Sequence, residues 1–282
     1  MFDTIIIGGG VAGITLAVYL KRAGKNPVIL EKYALGGELN MLETIENYPS
    51  ENIVSGLELA KKFASAVKRF EIPVKYVEVS DIEILKDHQI VKTTKGDFEG
   101  KTTVIACGLA PKKANIKGED ELFGKGVSYC ATCDGYFYKN KDVAVISQNG
   151  SGIKSAMYLS GICNKVYLVN EGIMPRIALA ENIEICYQKP TKIAGDNMVK
   201  ALECDSRELA VSGVFISLGY APNLSFLPKQ IKTEKGYIIT DEKMRTNIPS
   251  VYAIGDIRYG SIKQILTAQA DAVTCAYDLY TK

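Results

Sequence analysis

Histidine is almost missing: the 282 residues contain one, His88. A zinc site takes four closely spaced cysteine or histidine ligands, and outside one Cys-x-x-Cys pair the seven cysteines are scattered, so the second half of such a site is absent. No metal site is expected. His88 lies in the polar connection Lys86-Asp87-His88-Gln89 with no partner motif, which reads as a surface position and not as a catalytic base. A large charge excess is also lacking. The net charge of +2 is too small to argue for nucleic acid, although it is compatible with a local basic face for an acidic protein. No apolar run approaches the roughly 18 residues of a membrane span. Phe2-Asp3-Thr4 runs directly into Ile5-Ile6-Ile7, with neither a basic leader nor a cleavage site. An odd number of cysteines without framework spacing suggests a reducing compartment, so the expected location is the cytoplasm.

What is present is a globular composition, 47% hydrophobic and 23% charged, in a length that suits two domains. Thr4 to Ile7 reads as a buried strand, Gly8-Gly9-Gly10 as a turn, and Val11 to Ala23 as a helix ended by Gly24. Gly8, Gly10 and Gly13 give Gly-x-Gly-x-x-Gly in the setting where it matters. The first glycine allows the tight turn, the second lets backbone approach a pyrophosphate, and the third lets helix pack on strand, with the helix N-terminus facing the phosphates. A second strand, Pro27 to Leu30, ends in Glu31, an acid placed to accept hydrogen bonds from an adenosine ribose. These elements point to FAD or NAD. Further on, Leu57, Ala60, Phe63, Ala64, Val67 and Phe70 mark the core face of a helix over 56–70. From 74 to 104 the period changes, and alternating stretches at 75–79 and 89–93 predict a small antiparallel sheet with a turn at Lys95-Gly96-Asp97.

Chemistry enters with Cys130-Ala131-Thr132-Cys133-Asp134-Gly135. Two cysteines separated by two residues can close a small disulfide ring, and a local charge or helix start can lower one thiol's pKa from about 8.5. Asp134 beside them offers a proton donor. After the hexapeptide comes a second strand, turn and helix: Val143 to Ile146, Ser147 to Gly152, Ile153 to Gly161, then a strand over 166–169. Its turn reads Ser147-Gln148-Asn149-Gly150-Ser151-Gly152, so a hydroxyl and an amide stand where side chains must be absent near a pyrophosphate. The next strand runs into Asn170-Glu171-Gly172, with no arginine for a 2'-phosphate and an acid that would repel one; Glu171 can still be read as a ribose acid for NAD. Near the end, Val251 to Asp256 reads as a strand ending in Gly255-Asp256, and a helix over 264–280 carries Ile265, Ala268, Ala272, Ala276 and Leu279 on one face. A carboxylate there can hold a ribityl or ribose hydroxyl. A helix start near Lys263-Gln264-Ile265 places positive charge beside a reduced flavin, which favours FAD over NAD in the first unit.

Gly8-x-Gly10-x-x-Gly13, Gly36-Gly37, Glu46-Asn47-Tyr48-Pro49, Ile105-Ala106-Cys107-Gly108, the hexapeptide, and Gly255-Asp256 followed by Gln264 together resemble the low-molecular-weight flavin thioredoxin reductases over nearly the whole chain. The resemblance implies an α/β fold of two Rossmann-like three-layer ββα domains. The FAD domain takes both chain ends, 1–113 and 222–282, around an inserted, degenerate pyridine-nucleotide-type domain, 114–221. It implies a homodimer, thioredoxin as electron acceptor, and FAD held by Gly8, Gly10, Val11, Ala12, Gly13, Glu31, Lys32, Gly36, Gly37, Asn47, Ala106, Cys107, Gly108, Gly255, Asp256, Lys263, Gln264 and Ile265. It also implies that Cys133 faces the flavin, Cys130 attacks the thioredoxin disulfide and Asp134 shuttles the proton. Members that use NADPH carry Gly-x-Gly-x-x-Ala and His-Arg-Arg in the inserted domain. Ser147, Asn149, Gly152 and Asn170-Glu171-Gly172 depart from both, a pattern similar to the ferredoxin-dependent flavin thioredoxin reductases. Lys112, Lys113, Lys139 and Lys141 could then contribute to docking acidic ferredoxin or be ordinary solvated lysines. Cys107, Cys163, Cys186, Cys204 and Cys275 read as small core residues. Two other functions fit the residues: an NAD(P)H-dependent reductase of thioredoxin or a peroxiredoxin with an atypical nucleotide site, and a non-catalytic FAD-binding redox sensor.

Overall fold

In the computed structural model, which describes every residue except 173, 175 and 282, the first strand is the spine of the molecule. β1 (Phe2–Ile7) and β2 (Pro27–Glu31) are near-continuous apolar runs, as strands covered on both faces must be. They pair in parallel, with Thr4 opposite Pro27, and α1 (Val11–Arg22) crosses between them, burying Ile14, Leu16, Ala17 and Leu20. α2 (Gly56–Arg69) starts at a capping box: Ser55 Oγ accepts from the Glu58 amide, and the Glu58 carboxylate accepts from the Ser55 amide. β3 (Val74–Tyr76) follows, then β4 (Val79–Ile84), β5 (Gln89–Thr93) and β6 (Phe98–Ile105).

Of the stretch at 75–79, only Val79 joins the antiparallel layer as expected, opposite Thr93, while Lys75 and Tyr76 do not. Val74 pairs in parallel with Ile29, and the chain leaves that edge before β4 begins. Alternation marks a strand but does not name its partner. β6 pairs in parallel with β1 on one edge and serves two neighbours along the other: Phe98 to Gly100 face β5, and Thr103 to Ile105 face the last strand of the sheet.

The inserted part begins with β7 (Ala110–Pro111) and β8 (Val127–Ser128). A short helix, α3 (Ala131–Asp134), carries the cysteine pair and runs into a 3-10 turn over Gly135–Tyr138. β9 (Asp142–Gln148), α4 (Ile153–Ser160) and β10 (Lys165–Glu171) repeat the strand, turn and helix of the chain's start. β11 (Ile183–Cys186) extends the sheet, and β12 (Pro190–Gly195), β13 (Val199–Cys204) and β14 (Arg207–Ala210) form a three-stranded antiparallel layer. β15 (Gly213–Ser217) completes a five-stranded parallel sheet in the order β11-β10-β9-β15-β8, and β16 (Tyr220–Ala221) returns to pair with β7.

The chain then re-enters the first sheet. β17 (Thr233–Glu234) and β18 (Tyr237–Ile238) form a hairpin, β19 (Val251–Ala253) pairs in parallel with β6, and α5 (Ile265–Tyr280) packs on α1. Two compact units result, Met1–Leu109 with Pro222–Lys282, and Ala110–Ala221. The first boundary falls four residues earlier than 113, because Ala110 and Pro111 are tied by backbone pairing to Ala221 and Tyr220. Each unit is an α/β sandwich with its own core, and no helix among the described residues is long and apolar enough to cross a membrane.

Candidate active site

In the first unit the glycines make a cradle. A Cβ on Gly8 (φ +109°) would lie 2.5 Å from the Ala106 carbonyl oxygen, and one on Gly13 would lie 2.0 Å from that of Gly8, so strand, turn and helix touch through backbone alone. At Gly10 the situation is reversed. The nearest atom to a Cβ there, Gly37 Cα, is 4.0 Å away, so a side chain would fill the open space above the start of α1. No side chain caps that helix, and its first backbone bond runs from the Ile14 amide to the Gly10 carbonyl, leaving first-turn amides directed at that space.

Of the other residues named for the flavin, Gly36, Gly37, Ala106, Cys107 and Gly255 touch the turn over 8–13. Gly36 donates its amide to the Gly9 carbonyl at 2.8 Å, and a Cβ on Gly255 would be 3.1 Å from Ala12 Cβ. Asn47 Nδ2 donates to Gln264 Oε1 at 2.8 Å, joining the loop after Gly37 to the start of α5. Glu31 is buried at the end of β2, where its two oxygens accept the Gly9 and Tyr33 amides at 2.7 and 2.8 Å. Lys32 instead turns outward to Glu78, 2.6 Å away. Burial pushes the Cys107 thiol up to about 12; a backbone hydrogen bond opposes this and nearby Glu31 adds to it. Asp256 is raised from the ordinary carboxylate range by desolvation; Lys263 opposes the shift and Asp271 adds to it. Glu38 is raised by desolvation and by the Asp256 charge, which places a second carboxyl at the same mouth. Glu38 directly follows Gly36-Gly37, and that adjacency was the available signal for it.

In the second unit Cys130 and Cys133 are joined as a disulfide, Cα to Cα 5.4 Å. Cys130 is the N-cap of α3, and its Sγ accepts the Cys133 amide at 3.1 Å, an arrangement that stabilises a thiolate once the bond is opened. Cys133 is exposed and Cys130 half-buried. Gly135 is needed close behind them, since a Cβ there would be 2.9 Å from Leu159 Cδ2. Asp134 is held by a residue that no motif marked. Buried Ser128 donates its hydroxyl to Asp134 Oδ2 at 2.7 Å and accepts the Cys130 amide at 3.0 Å, so one side chain ties the acid to the first cysteine.

The model of the pyridine nucleotide-disulphide oxidoreductases matches residues 2–272. Thioredoxin reductase of Helicobacter pylori is 37% identical, across 98% of this chain and 97% of that protein. The chain belongs to this family, among the low-molecular-weight flavin thioredoxin reductases. A crystal structure of Lactococcus lactis thioredoxin reductase superposes with a TM-score of 0.81 at 33% identity, covering 100% of this chain and 98% of that one. A ferredoxin-flavin thioredoxin reductase from Clostridium acetobutylicum superposes at 0.59 with 32% identity, covering 99% and 97%. The protein is a flavoprotein disulfide reductase with FAD as cofactor and thioredoxin as substrate. The open cradle at Gly10 fits that cofactor's pyrophosphate.

Within this reductase the second glycine turn is closed on itself. The amide of Gln148 donates to Ser151 Oγ at 3.2 Å, that of Gly150 to Asn170 Oδ1 at 2.9 Å, and that of Gly152 to Ser147 Oγ at 2.9 Å. Those of Asn149, Ser151 and Ile153 donate to the carbonyls of Glu171, Gln148 and Gly150. Six successive amides, 148 to 153, are thus consumed by the protein. Asn170 is fully buried and also donates to the Gly172 carbonyl, while Ser151 Oγ donates to the Ser217 carbonyl. Among the four lysines considered for docking, Lys113 pairs with Asp120 at 2.6 Å, and Lys139 and Lys141 lie over the Tyr136 and Tyr138 rings.

Proposed function

We propose that this thioredoxin reductase receives its electrons from reduced ferredoxin and not from a nicotinamide nucleotide. The observation that carries the reading is the turn at 148–153, whose amides are all spent on the protein's own oxygens and so offer none to a pyrophosphate. Asn170-Glu171-Gly172 adds no cation for a 2'-phosphate. A solved relative titled as a ferredoxin-flavin thioredoxin reductase supports the same reading. FAD, when bound, supplies the chemistry this requires, because it accepts electrons singly and passes two to a disulfide.

The protein residues do the rest. Two electrons and two protons open Cys130–Cys133 to two thiols, with Cys133 the sulfur that meets the cofactor. Cys130 as thiolate attacks the thioredoxin disulfide, giving a mixed disulfide and one thioredoxin thiolate. Cys133 as thiolate then attacks Cys130 Sγ in the mixed bond and displaces the thioredoxin sulfur, which re-forms the internal disulfide and releases the second thioredoxin thiolate. Asp134, oriented by Ser128, moves the proton. The Gly8 to Gly13 cradle, with Gly36, Gly37, Asn47, Asp256 and Gln264, would hold the flavin, and the reductase would work as a homodimer in the cytoplasm.

The test is anaerobic mixing of oxidised protein with NADPH, with NADH, and with photoreduced ferredoxin. Ferredoxin should bleach the yellow flavin while both nucleotides leave it yellow. Rapid bleaching by micromolar NADPH or NADH would overturn the reading, and the NADH arm also examines Glu171 as a ribose acid.

A further inference from the structure

We propose that Arg258 and Asp271 are positioning residues for the flavin: they lock the Gly255–Asp256 turn so that the Asp256 carboxyl and the start of α5 present one fixed surface to the cofactor. The inference rests on the reading of Asp256 as a flavin-holding residue.

Asp271 lies in the second turn of α5, 7% exposed, an expensive place for a carboxylate. Its charge is answered in full. Arg258 Nε donates to Oδ2 at 2.8 Å and Arg258 Nη2 to Oδ1 at 2.7 Å, a bidentate pair with both side chains largely shielded from solvent. Oδ2 also accepts the Gly255 amide at 2.9 Å. Arg258 is fixed in turn by Thr240, whose Oγ1 accepts from Nη1 at 3.1 Å.

Such a pair is a poor choice for stability alone, since apolar residues of similar volume serve a core as well or better. What it does here is directional. Gly255 has φ +75°, a left-handed turn between β19 and the 3-10 turn of Gly255–Ile257. Its amide is tied to Asp271, which fixes the backbone immediately before Asp256. Asp271 and Lys263 both act on the Asp256 charge, so the three groups share one locality. A rigid turn holds Asp256 in the bound geometry before the ligand arrives, which lowers the cost of binding.

The experiment is titration of apo-protein with FAD, followed by flavin fluorescence, beside a thermal melt of each apo-protein. Three variants separate the ideas. Arg258→Met with Asp271→Leu removes both charges and the acceptor for Gly255; its melt should fall because the Gly255 amide is left unpaired, and its FAD Kd should rise about tenfold, the worth of one charge-assisted hydrogen bond. Asp271→Asn keeps an oxygen for the Gly255 amide, so it should melt lower yet bind FAD within about threefold of wild type. Asp256→Ala should weaken FAD by at least about tenfold. A wild-type Kd in the double variant, with binding lost in Asp256→Ala, would make the pair merely structural and sink the proposal. A wild-type Kd in Asp256→Ala would instead overturn the reading of Asp256. Should the double variant not fold, Arg258→Lys carries the test. A lysine cannot bridge both carboxylate oxygens, so a raised Kd with an unchanged melt supports positioning, and an unchanged Kd refutes it.

Discussion

Single residues in this reductase are sorted by burial into those that react and those that do not. Burial pushes the Cys107 thiol up to about 12, and Cys163 to about 11, with Asp142 adding to the latter. Burial and then the neighbouring Cys186 thiol push Cys204 up to about 12. Cys186 and Cys275 are buried. The thiolate is the reactive form, so at pH 8 the first three hold almost none of it. Reduced protein treated with iodoacetamide at pH 8 should therefore carry label on Cys130 and Cys133 by peptide mass spectrometry. Label on Cys107, Cys163 and Cys204 should rise only as the pH approaches 11 to 12. Rapid labelling at pH 8 would show that the burial of Cys163 and Cys204 does not persist in solution, and that the surroundings of half-buried Cys107 do not keep its thiol protonated. Cys133→Ser and Cys130→Ser should each lower thioredoxin turnover by roughly 10³-fold or more, because neither half of the exchange can close without both sulfurs. Unchanged turnover in either would remove the pair from the reaction.

Elements tell how far such a chain can be read from its residues. β1, the glycine turn, α1 and β2 were legible because strand period, helix period and turn residues all agree over about thirty positions. The hexapeptide was legible because its spacing carries its own chemistry. The pairing of Val74–Tyr76 with β2 was not, since alternation is blind to partners 45 residues away. Ser128 and the Arg258–Asp271 pair were missed for the same reason, as was the part Asn170 plays toward Gly150: each acts through a contact between elements that no local pattern encodes. The closed turn at 148–153 was only half legible. Sequence revealed unsuitable side chains, and the structure adds that those side chains satisfy the loop's amides. This has a measurable consequence for stability. Asn170→Ala removes a fully buried side chain and leaves the half-buried Gly150 amide without its acceptor, so denaturant unfolding should show a loss of about 1 kcal/mol. A neutral effect would mean that water replaces the amide oxygen there without cost.

The whole molecule has one unit threaded into another, and the threading is gentle. The inserted unit begins at Ala110 and ends at Ala221, and these residues are direct partners in the β7–β16 ladder, with Pro111 opposite Tyr220. Paired antiparallel Cα atoms lie about 5 Å apart, so the two ends of the inserted unit lie side by side. The first sheet does not need the insert for closure: β19 reaches β6 directly, and α5 packs on α1 within the same unit. The insert holds its own parallel sheet, antiparallel layer and core. Each unit should therefore fold alone. Joining Leu109 to Pro222 through about four Gly-Ser residues, enough to span some 13 Å, should give a yellow protein that retains FAD through gel filtration. Residues 110–221 expressed separately should melt cooperatively, carry the Cys130–Cys133 disulfide and bind no flavin. A colourless spliced chain would mean that the cradle around Gly10 needs the inserted unit to form. An insert without a cooperative melt would mean that its core depends on the flanking sheet, and a donor-specificity swap by exchanging this unit between relatives would then be closed as well.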